Sequence, residues 1–147
     1  MAQTHVVVSG RRAPAATRRQ IILSRQGPAF QAFSVLYAGF IVLPIVAGLD
    51  KFSHLLVDWN VYLSPLAASL VGGRVDAFMQ AAGAIEICAG LLVATKPSIG
   101  GWVVAAWLMG IIANLLMIPS YFDVALRDFG LALGAVALAR LARAYGR

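Results

Sequence analysis

The sequence predicts an all-α integral membrane protein, a four-helix bundle with an amphipathic interfacial segment between helices 1 and 2. The first observation is composition: 61% of the 147 residues are hydrophobic and 12% are charged, against about 25% charged residues in an average soluble domain. The second is that four apolar segments approach the roughly 20 residues that span a bilayer. These segments are residues 30–49, 77–95, 99–119 and 129–141, the last extended upstream by 124–126.

The third observation is the distribution of charge along a chain whose net charge is +6. Four spans place the N-terminal segment, the turn after the second helix and the C-terminal segment on one side of the membrane. That side carries no acidic residue and nine basic residues: Arg11, Arg12, Arg18, Arg19, Arg25, Lys96, Arg140, Arg143 and Arg147. The opposite side carries five aspartates and three basic residues: Lys51, Arg74 and Arg127.

This asymmetry follows the positive-inside rule, so both termini are expected on the cytoplasmic side. The expected location is a bacterial inner membrane that the chain crosses several times, with an organellar membrane as the lesser alternative. Topology explains the basic excess, and no nucleic-acid partner is expected. Anionic lipid head groups are a further candidate for contact with the basic side.

Residues 1–28 are expected to form a basic cytoplasmic tail, partly disordered or lying on the membrane surface, with a short amphipathic piece at residues 21–23. The alternatives are an organellar transit peptide and an export signal built on a pair of arginines. Residues 29–147 are expected to form the four-helix transmembrane domain, since the helices and their connections use the rest of the chain.

The first helix is expected to be kinked at Pro44, where neighbouring helices can satisfy the freed carbonyl group. The connection after it, residues 53–76, is apolar and includes Trp59 and Tyr62. These two side chains suit the head-group level of a bilayer. The sequence therefore predicts one or two short helices lying in the outer interface, with Trp59 and Tyr62 in a cap over the bundle.

The second helix places Gly83 and Gly90 on the face that carries Glu86, because residues three or four apart share a helix face. Small residues let helices approach closely in lipid. Glu86 is therefore expected to point into the bundle, against another backbone. Cys88, the only cysteine in the chain, is expected to be a small core residue with an inert thiol.

The third helix is expected to end at residues 119–121. The fourth carries Gly130 and Gly134, a G-x-x-x-G pair that favours close helix packing. As a lone motif in a helix rich in glycine and alanine, the pair is weak evidence for dimerisation.

Glu86 is the most informative residue, because a carboxyl group in the middle of a spanning helix costs at least a few kcal/mol unless it has a partner or a function. The hypothesis is an outward-facing polar pocket with Glu86 at its floor and Asn114 on its wall, covered by the apolar residues 55–71. The remaining polar side chains of that side would form its rim: Lys51, Arg127, Asp50, His54 and Asp128.

Each polar group also has a structural interpretation. The charges around residues 50 and 127 are then helix ends at the water boundary, Asn114 hydrogen-bonds a neighbouring helix, and His54 is an exposed interfacial residue. For Glu86, a structural role between helices and a role in ligand or proton handling are equal alternatives. No catalytic residue and no metal site is predicted, since the sequence has no cluster of ligands at metal-binding spacing.

Three segments resemble the DoxX-like membrane proteins: Gly-Leu-Asp-Lys-Phe at 48–52, Gly-Ala-Ile-Glu-Ile-Cys-Ala-Gly at 83–90 and Arg-Asp-Phe-Gly-Leu at 127–131. The resemblance covers residues 33–142 and implies a small four-helix protein of the inner membrane. That family takes its name from a subunit of a thiosulfate:quinone oxidoreductase, and other relatives are linked to redox stress or accessory roles. The resemblance assigns no catalytic residue to this chain.

The function expected from the sequence is that of an integral membrane accessory subunit, which docks through its helices in a respiratory or redox complex and is not itself catalytic. The alternative is an oxidoreductase component that binds a quinone or another small ligand at Glu86. A small transporter or channel is disfavoured by the sparse polar lining below Glu86 and the lack of an inverted repeat. The expected partners are the lipid bilayer and a larger membrane complex or a second copy of the chain.

Overall fold

The computed structural model describes residues 27–145, and every regular element in that range is helical. In chain order these elements are α1 (Pro28–Ser53), a one-turn 3-10 helix (Trp59–Tyr62), α2 (Pro65–Leu70), α3 (Val75–Thr95), α4 (Pro97–Leu115), a 3-10 turn (Pro119–Tyr121) and α5 (Phe122–Tyr145). The predicted all-α fold is confirmed for this range. The predicted basic tail lies, up to residue 26, outside the described residues.

Prolines mark three of the helix starts. Pro28, Pro65 and Pro97 each lie in the first turn of a helix, where the backbone N–H has no intrahelical acceptor to lose. Lys96 alone separates α3 from α4. These two helices therefore form a tight hairpin.

The end of α1 lies beyond the apolar segment that predicted the helix. The helix continues to Ser53 and stops at His54, whose φ of 50° turns the backbone out of the helical path. Asp50 and Lys51, which were expected at the end of the helix, lie in its last turns.

The long helices run antiparallel to their neighbours. Near one end of the α1–α3 pair, Gly48 meets Gly83. Near the other end, the Tyr37 hydroxyl donates a hydrogen bond to the Ala94 carbonyl oxygen at 2.7 Å. Later residues of α1 thus contact earlier residues of α3, as an antiparallel pair requires.

The α4–α5 pair is antiparallel as well, with Gly101 against the Ala135 carbonyl group. Two further contacts join the pairs to each other. Phe40 of α1 lies against Gly134 of α5, and α3 contacts α4 on either side of the turn at Lys96.

The molecule has two chemically different ends. At the Lys96 end, the ring centroid of Phe30 lies 5.5 Å from that of Tyr145, so the start of α1 meets the end of α5. At the loop end lie the connection from α1 to α3 and the turn between α4 and α5. The larger apolar core extends from the Lys96 end and includes Phe33, Phe40, Val93, Val104, Ala135 and Leu138.

Two glycines set the distance between α1 and α3. A Cβ atom on Gly48 would lie 2.5 Å from the Gly83 carbonyl oxygen, and a Cβ atom on Gly83 would lie 2.6 Å from the Gly48 carbonyl oxygen. The backbones are therefore too close for a side chain at either position. Gly83, Glu86 and Gly90 all belong to the buried face of α3, which confirms the face predicted from their spacing.

Among residues 27–145, three helices are long and apolar enough to cross a membrane by length and composition: α1, α3 and α4. The fourth long helix, α5, carries charged side chains near both of its ends and is not one of these three helices. Large apolar side chains are exposed on the outward faces of all four helices, including Val42, Leu91, Val103 and Leu133. This outer surface is compatible with a membrane protein.

The prediction for Cys88 is wrong, and the prediction of close helix packing at Gly130 and Gly134 holds only at Gly134, where a Cβ atom would lie 3.3 Å from the Phe40 ring. Cys88 is exposed rather than part of the core, because it lies two residues after Glu86 and hence on the opposite side of α3. Gly130 has nothing within 4 Å of a Cβ position, and the nearest atoms to Gly134 belong to side chains. Within the described part of the chain, the G-x-x-x-G pair therefore makes no close backbone contact.

Candidate functional site

An ion pair between α1 and α3 lies at the centre of the polar residues near the loop end. Lys51 Nζ lies 2.7 Å from Glu86 Oε2, and the two side chains are 6% and 9% exposed. Helix side chains lean toward the N-terminus of their own helix. In this antiparallel pair Lys51 and Glu86 therefore lean toward each other, across the contact that Gly48 makes with Gly83.

Two tryptophans from different elements contact the ion pair. Trp107 of α4 donates its indole N–H to Glu86 Oε1 at 3.4 Å, which is long for a hydrogen bond. The centroid of the Trp59 ring lies 3.6 Å from Lys51 Nζ, which is a cation–π contact. The pair thus connects α1, α3, α4 and the loop after α1.

Asp50 fixes that loop. Its Oδ1 accepts hydrogen bonds from the backbone N–H groups of Leu55 and Leu56, each at 2.9 Å, and from the Ser53 hydroxyl at 3.2 Å. Its Oδ2 accepts the indole N–H of Trp59 at 2.7 Å. Asp50 therefore holds Trp59 in place over Lys51, and we call Asp50, Lys51, Trp59, Glu86 and Trp107 the charged cluster.

Asn114 attaches the second half of the loop to α4. Its side-chain N–H donates to the Tyr62 carbonyl oxygen at 2.6 Å, and its Oδ1 accepts the Ser64 N–H at 2.9 Å. Ser64 is completely buried, and its hydroxyl caps α2 by accepting the Ala67 N–H. The ring of Tyr62 lies 4.8 Å from that of Tyr121, which packs this half of the loop against the turn before α5.

The structure brings together four of the residues singled out by the sequence, in positions that differ from the expected ones. Glu86, Lys51, Asp50 and Trp59 are in one network. Lys51 and Asp50 are buried rather than at a water-facing rim. Asn114 serves the loop backbone rather than lining a pocket.

Three other predicted rim residues lie outside the network. Arg127 is exposed and pairs with Asp123 at 3.3 Å within α5. His54 is exposed in its left-handed turn position. Asp128 is half-buried, and it is not among the residues that bond the Lys51–Glu86 pair in the described structure.

Trp107 was missed by the sequence reasoning, although a signal for it exists. The turn at Lys96 lies 10 residues after Glu86 (96 − 86) and 11 residues before Trp107 (107 − 96). A tight antiparallel hairpin places residues equidistant from its turn at the same depth. A side chain near position 106 or 107 was therefore the natural neighbour for the carboxyl group.

The contacts of the charged cluster join α1, α3, α4 and the loop after α1, which is a structural role. Both carboxylate oxygens of Glu86 are engaged, one by an ammonium group and the other by an indole N–H. The attraction between two buried opposite charges counteracts the cost of removing both charges from water. Removing one partner typically lowers the free energy of unfolding by about 3–5 kcal/mol, because the other charge stays buried without a partner. Of the side chains expected to line an open pocket, Glu86 and Lys51 thus bind each other, and Asp50 and Asn114 bind the loop. Within residues 27–145, no three His, Cys, Asp or Glu side chains are grouped to hold a metal ion.

Two grooves on the outer surface are apolar. The larger, of about 620 Å³, lies between α3 and α4 and is lined by Ala84, Ile85, Cys88, Ala89, Leu92, Val103, Ala106 and Trp107. The smaller, of about 330 Å³, lies between α4 and α5. Trp107 lines the α3–α4 groove and also donates to Glu86, so it belongs both to the wall of the groove and to the charged cluster.

Comparisons with models of protein families, with curated proteins and with solved structures find no match to this chain.

Proposed function

We propose that this chain is a four-helix integral membrane protein that serves as an accessory subunit of a larger membrane complex, of respiratory or redox type. In this proposal α5 is the fourth span, both termini lie on the cytoplasmic side of a bacterial inner membrane, and the protein acts by helix docking. Membership of the DoxX-like family, suggested by the three sequence segments, is part of the same proposal.

The observation that carries the proposal is the mutual engagement of the buried polar groups. Glu86 binds Lys51 and Trp107, Asp50 binds the loop, and Asn114 binds the loop backbone. These groups therefore stabilise the packing of the helices. The grooves, by contrast, present small and apolar side chains to the outside, where a helix of another protein can pack closely.

Charge supports the proposed orientation. At the Lys96 end the described charged residues are all basic: Lys96, Arg140 and Arg143. Every acidic residue except Glu86 belongs to the loop end, where Asp50, Asp58, Asp76, Asp123 and Asp128 are located. Because basic residues are retained on the cytoplasmic side, the Lys96 end is the proposed cytoplasmic end.

Native mass spectrometry of the protein extracted in mild detergent tests the docking function. A stoichiometric protein partner is expected on the wild-type chain. Ala106 is exposed and borders both grooves, so Ala106→Phe places a large side chain at both and is expected to release the partner. Val42→Phe, a matched change on the exposed face of α1, is expected to retain it. Purification of the wild-type chain without any partner, or equal behaviour of both variants, would contradict the proposal.

The second candidate function is binding of a quinone or another small ligand next to Glu86. It is favoured by one observation: Trp107 lines the α3–α4 groove and bonds Glu86 through the longest hydrogen bond of the charged cluster. A ligand carbonyl group in the groove could replace Glu86 as the acceptor of that N–H.

A short-chain benzoquinone added to the detergent-solubilised protein tests this candidate. The candidate predicts a rise in melting temperature that Trp107→Phe abolishes and that Trp102→Phe, a change in the α4–α5 groove, leaves intact. Equal melting temperatures with and without the quinone would exclude this candidate.

A further inference from the structure

Two leucines are displayed at the loop end directly after α1. Leu55 is 84% exposed and Leu56 is 72% exposed. They are neighbours in a turn rather than members of an amphipathic helix face. Their side chains contribute nothing to the core, so their apolar surface is presented to the surroundings.

The backbone of this turn is supplied with hydrogen bonds from within the chain. The N–H of His54 donates to the Asp50 carbonyl oxygen at 2.7 Å, and the N–H groups of Leu55 and Leu56 both donate to Asp50 Oδ1 at 2.9 Å. Water would satisfy such donors at an ordinary protein surface, whereas lipid offers them no acceptor. The Asp50 carboxylate thus accepts two backbone N–H groups that would otherwise have no acceptor if this turn lay in lipid.

The turn is also held in one conformation. The Asp50 carboxylate is buried and additionally accepts the indole N–H of Trp59, and His54 adopts the left-handed conformation that reverses the chain. A surface that is ordered before it binds loses little conformational entropy on binding.

The exposed apolar surface continues from α1 into the turn. Leu49 and Phe52 are 55% and 49% exposed, and they lie three residues apart on one face of the last turns of α1. The two charged side chains between them, Asp50 and Lys51, are buried. The outward surface of residues 49–56 therefore has no exposed Asp, Glu, Lys or Arg side chain, and its exposed polar side chains are those of Ser53 and His54.

We propose that the turn of Leu55 and Leu56 inserts into the lipid leaflet at the loop end, at the boundary between head groups and acyl chains. The inference rests on the membrane location in the proposed function. Lipid is the indicated partner because the surface is continuous with the outward face of a spanning helix and because the N–H groups of the turn need no outside acceptor.

Single-cysteine variants of the full chain in phosphatidylcholine–phosphatidylglycerol vesicles test the proposal. Each cysteine carries an environment-sensitive fluorophore, and nitroxide lipids serve as quenchers. Native Cys88 reports on the outer face of α3. Leu55→Cys and Leu56→Cys, each combined with Cys88→Ser, report on the turn. Arg74→Cys in the same background is the matched control, because Arg74 is exposed at the loop end and has a charged side chain that prefers water.

Quenching at positions 55 and 56 is expected to exceed that at position 74 by about tenfold, from the partition of one leucine-sized group into lipid. A nitroxide near the head group is expected to quench them best, whereas a deep nitroxide quenches Cys88. Quenching at 55 and 56 equal to that at 74, with Cys88 quenched, would overturn this proposal alone. An unquenched Cys88 would overturn the membrane location itself. Shielding of the turn only in the presence of a co-purified protein would assign the surface to that protein and also overturn the proposal.

Discussion

Glu86 and Lys51 form a buried ion pair, whereas burial of either charge without the other would destabilise the fold. The spacing of Gly83, Glu86 and Gly90 was enough to predict that Glu86 is buried, because the three share one helix face. The burial of Lys51 could not be predicted in this way. A lysine at the end of an apolar run ordinarily extends to water, and only the register of α1 against α3 directs this one inward.

Replacing Glu86 with alanine is expected to lower the free energy of unfolding by about 3–5 kcal/mol, because Lys51 would remain buried without a counter-charge. The double change Lys51→Met with Glu86→Leu is expected to recover most of this loss, since an apolar pair of similar volume has no charge to desolvate. Unfolding of the purified protein in mixed micelles, followed by circular dichroism, measures both variants.

The exposed pair of Arg127 and Asp123 provides the control for this experiment. Their side chains are more than two-thirds exposed, and breaking an exposed i,i+4 pair costs only about 0.3–0.5 kcal/mol. Asp123→Ala is therefore expected to unfold almost like the wild type. A double variant at 51 and 86 that is as unstable as the sum of its two single variants would show that the two residues do not act as a pair.

Among the helices, the α1–α3 contact sets the geometry of the site. The glycines at 48 and 83 bring the two backbones together, and that register places Lys51 against the Glu86 carboxylate. The glycines are visible in the sequence, but which pairs of glycines meet is decided by tertiary packing. Gly83 was correctly expected to face another helix, whereas the Gly130–Gly134 pair makes no backbone contact in the described chain.

Gly83→Ala is expected to lower the free energy of unfolding by about 1–3 kcal/mol, because its Cβ would lie 2.6 Å from the Gly48 carbonyl oxygen and the helices would have to move apart. Gly110→Ala is the matched control in α4, since nothing lies within 4 Å of its Cβ position. It is expected to gain up to about 1 kcal/mol from helix propensity. The same unfolding assay compares the two, and an equal effect of both changes would rule out the close contact.

The helix boundaries show which signals carried the prediction and which did not. The turn expected after the second helix lies at Lys96, and α4 begins at Pro97, two residues before the apolar segment 99–119 that predicted it. At the loop side, α4 stops at Leu115 rather than near residue 119, and α5 begins at Phe122, just ahead of residues 124–126, by which the apolar segment 129–141 was extended. Hydropathy cannot locate such helix ends, because a polar turn at the end of an apolar segment can remain helical. In addition, Asn114 binds the loop at Tyr62 and Ser64, which are distant in sequence, and hydropathy does not report such contacts.

Considered as a whole, the molecule separates its charges by end. The described basic residues Lys96, Arg140 and Arg143 lie at the Lys96 end, and the aspartates lie at the loop end with the charged cluster just inside it. The sequence predicted this separation from the alternation of four apolar segments. It did not predict that residues 55 and 56 would be displayed outward instead of covering the cluster, because the hydrogen bonds of Asp50 that shape the turn depend on three-dimensional contacts.

The orientation of the whole chain in the membrane tests the account most directly. Arg74→Cys and Lys96→Cys, each combined with Cys88→Ser, place one exposed thiol at each end of the molecule. A membrane-impermeant maleimide is applied to right-side-out and to inside-out vesicles from bacteria that produce these variants. The account predicts labelling of position 74 in right-side-out vesicles alone and of position 96 in inside-out vesicles alone, since basic residues are retained on the cytoplasmic side and the Lys96 end is the proposed cytoplasmic end. Labelling of both positions from the same side, or the reversed pattern, would contradict it.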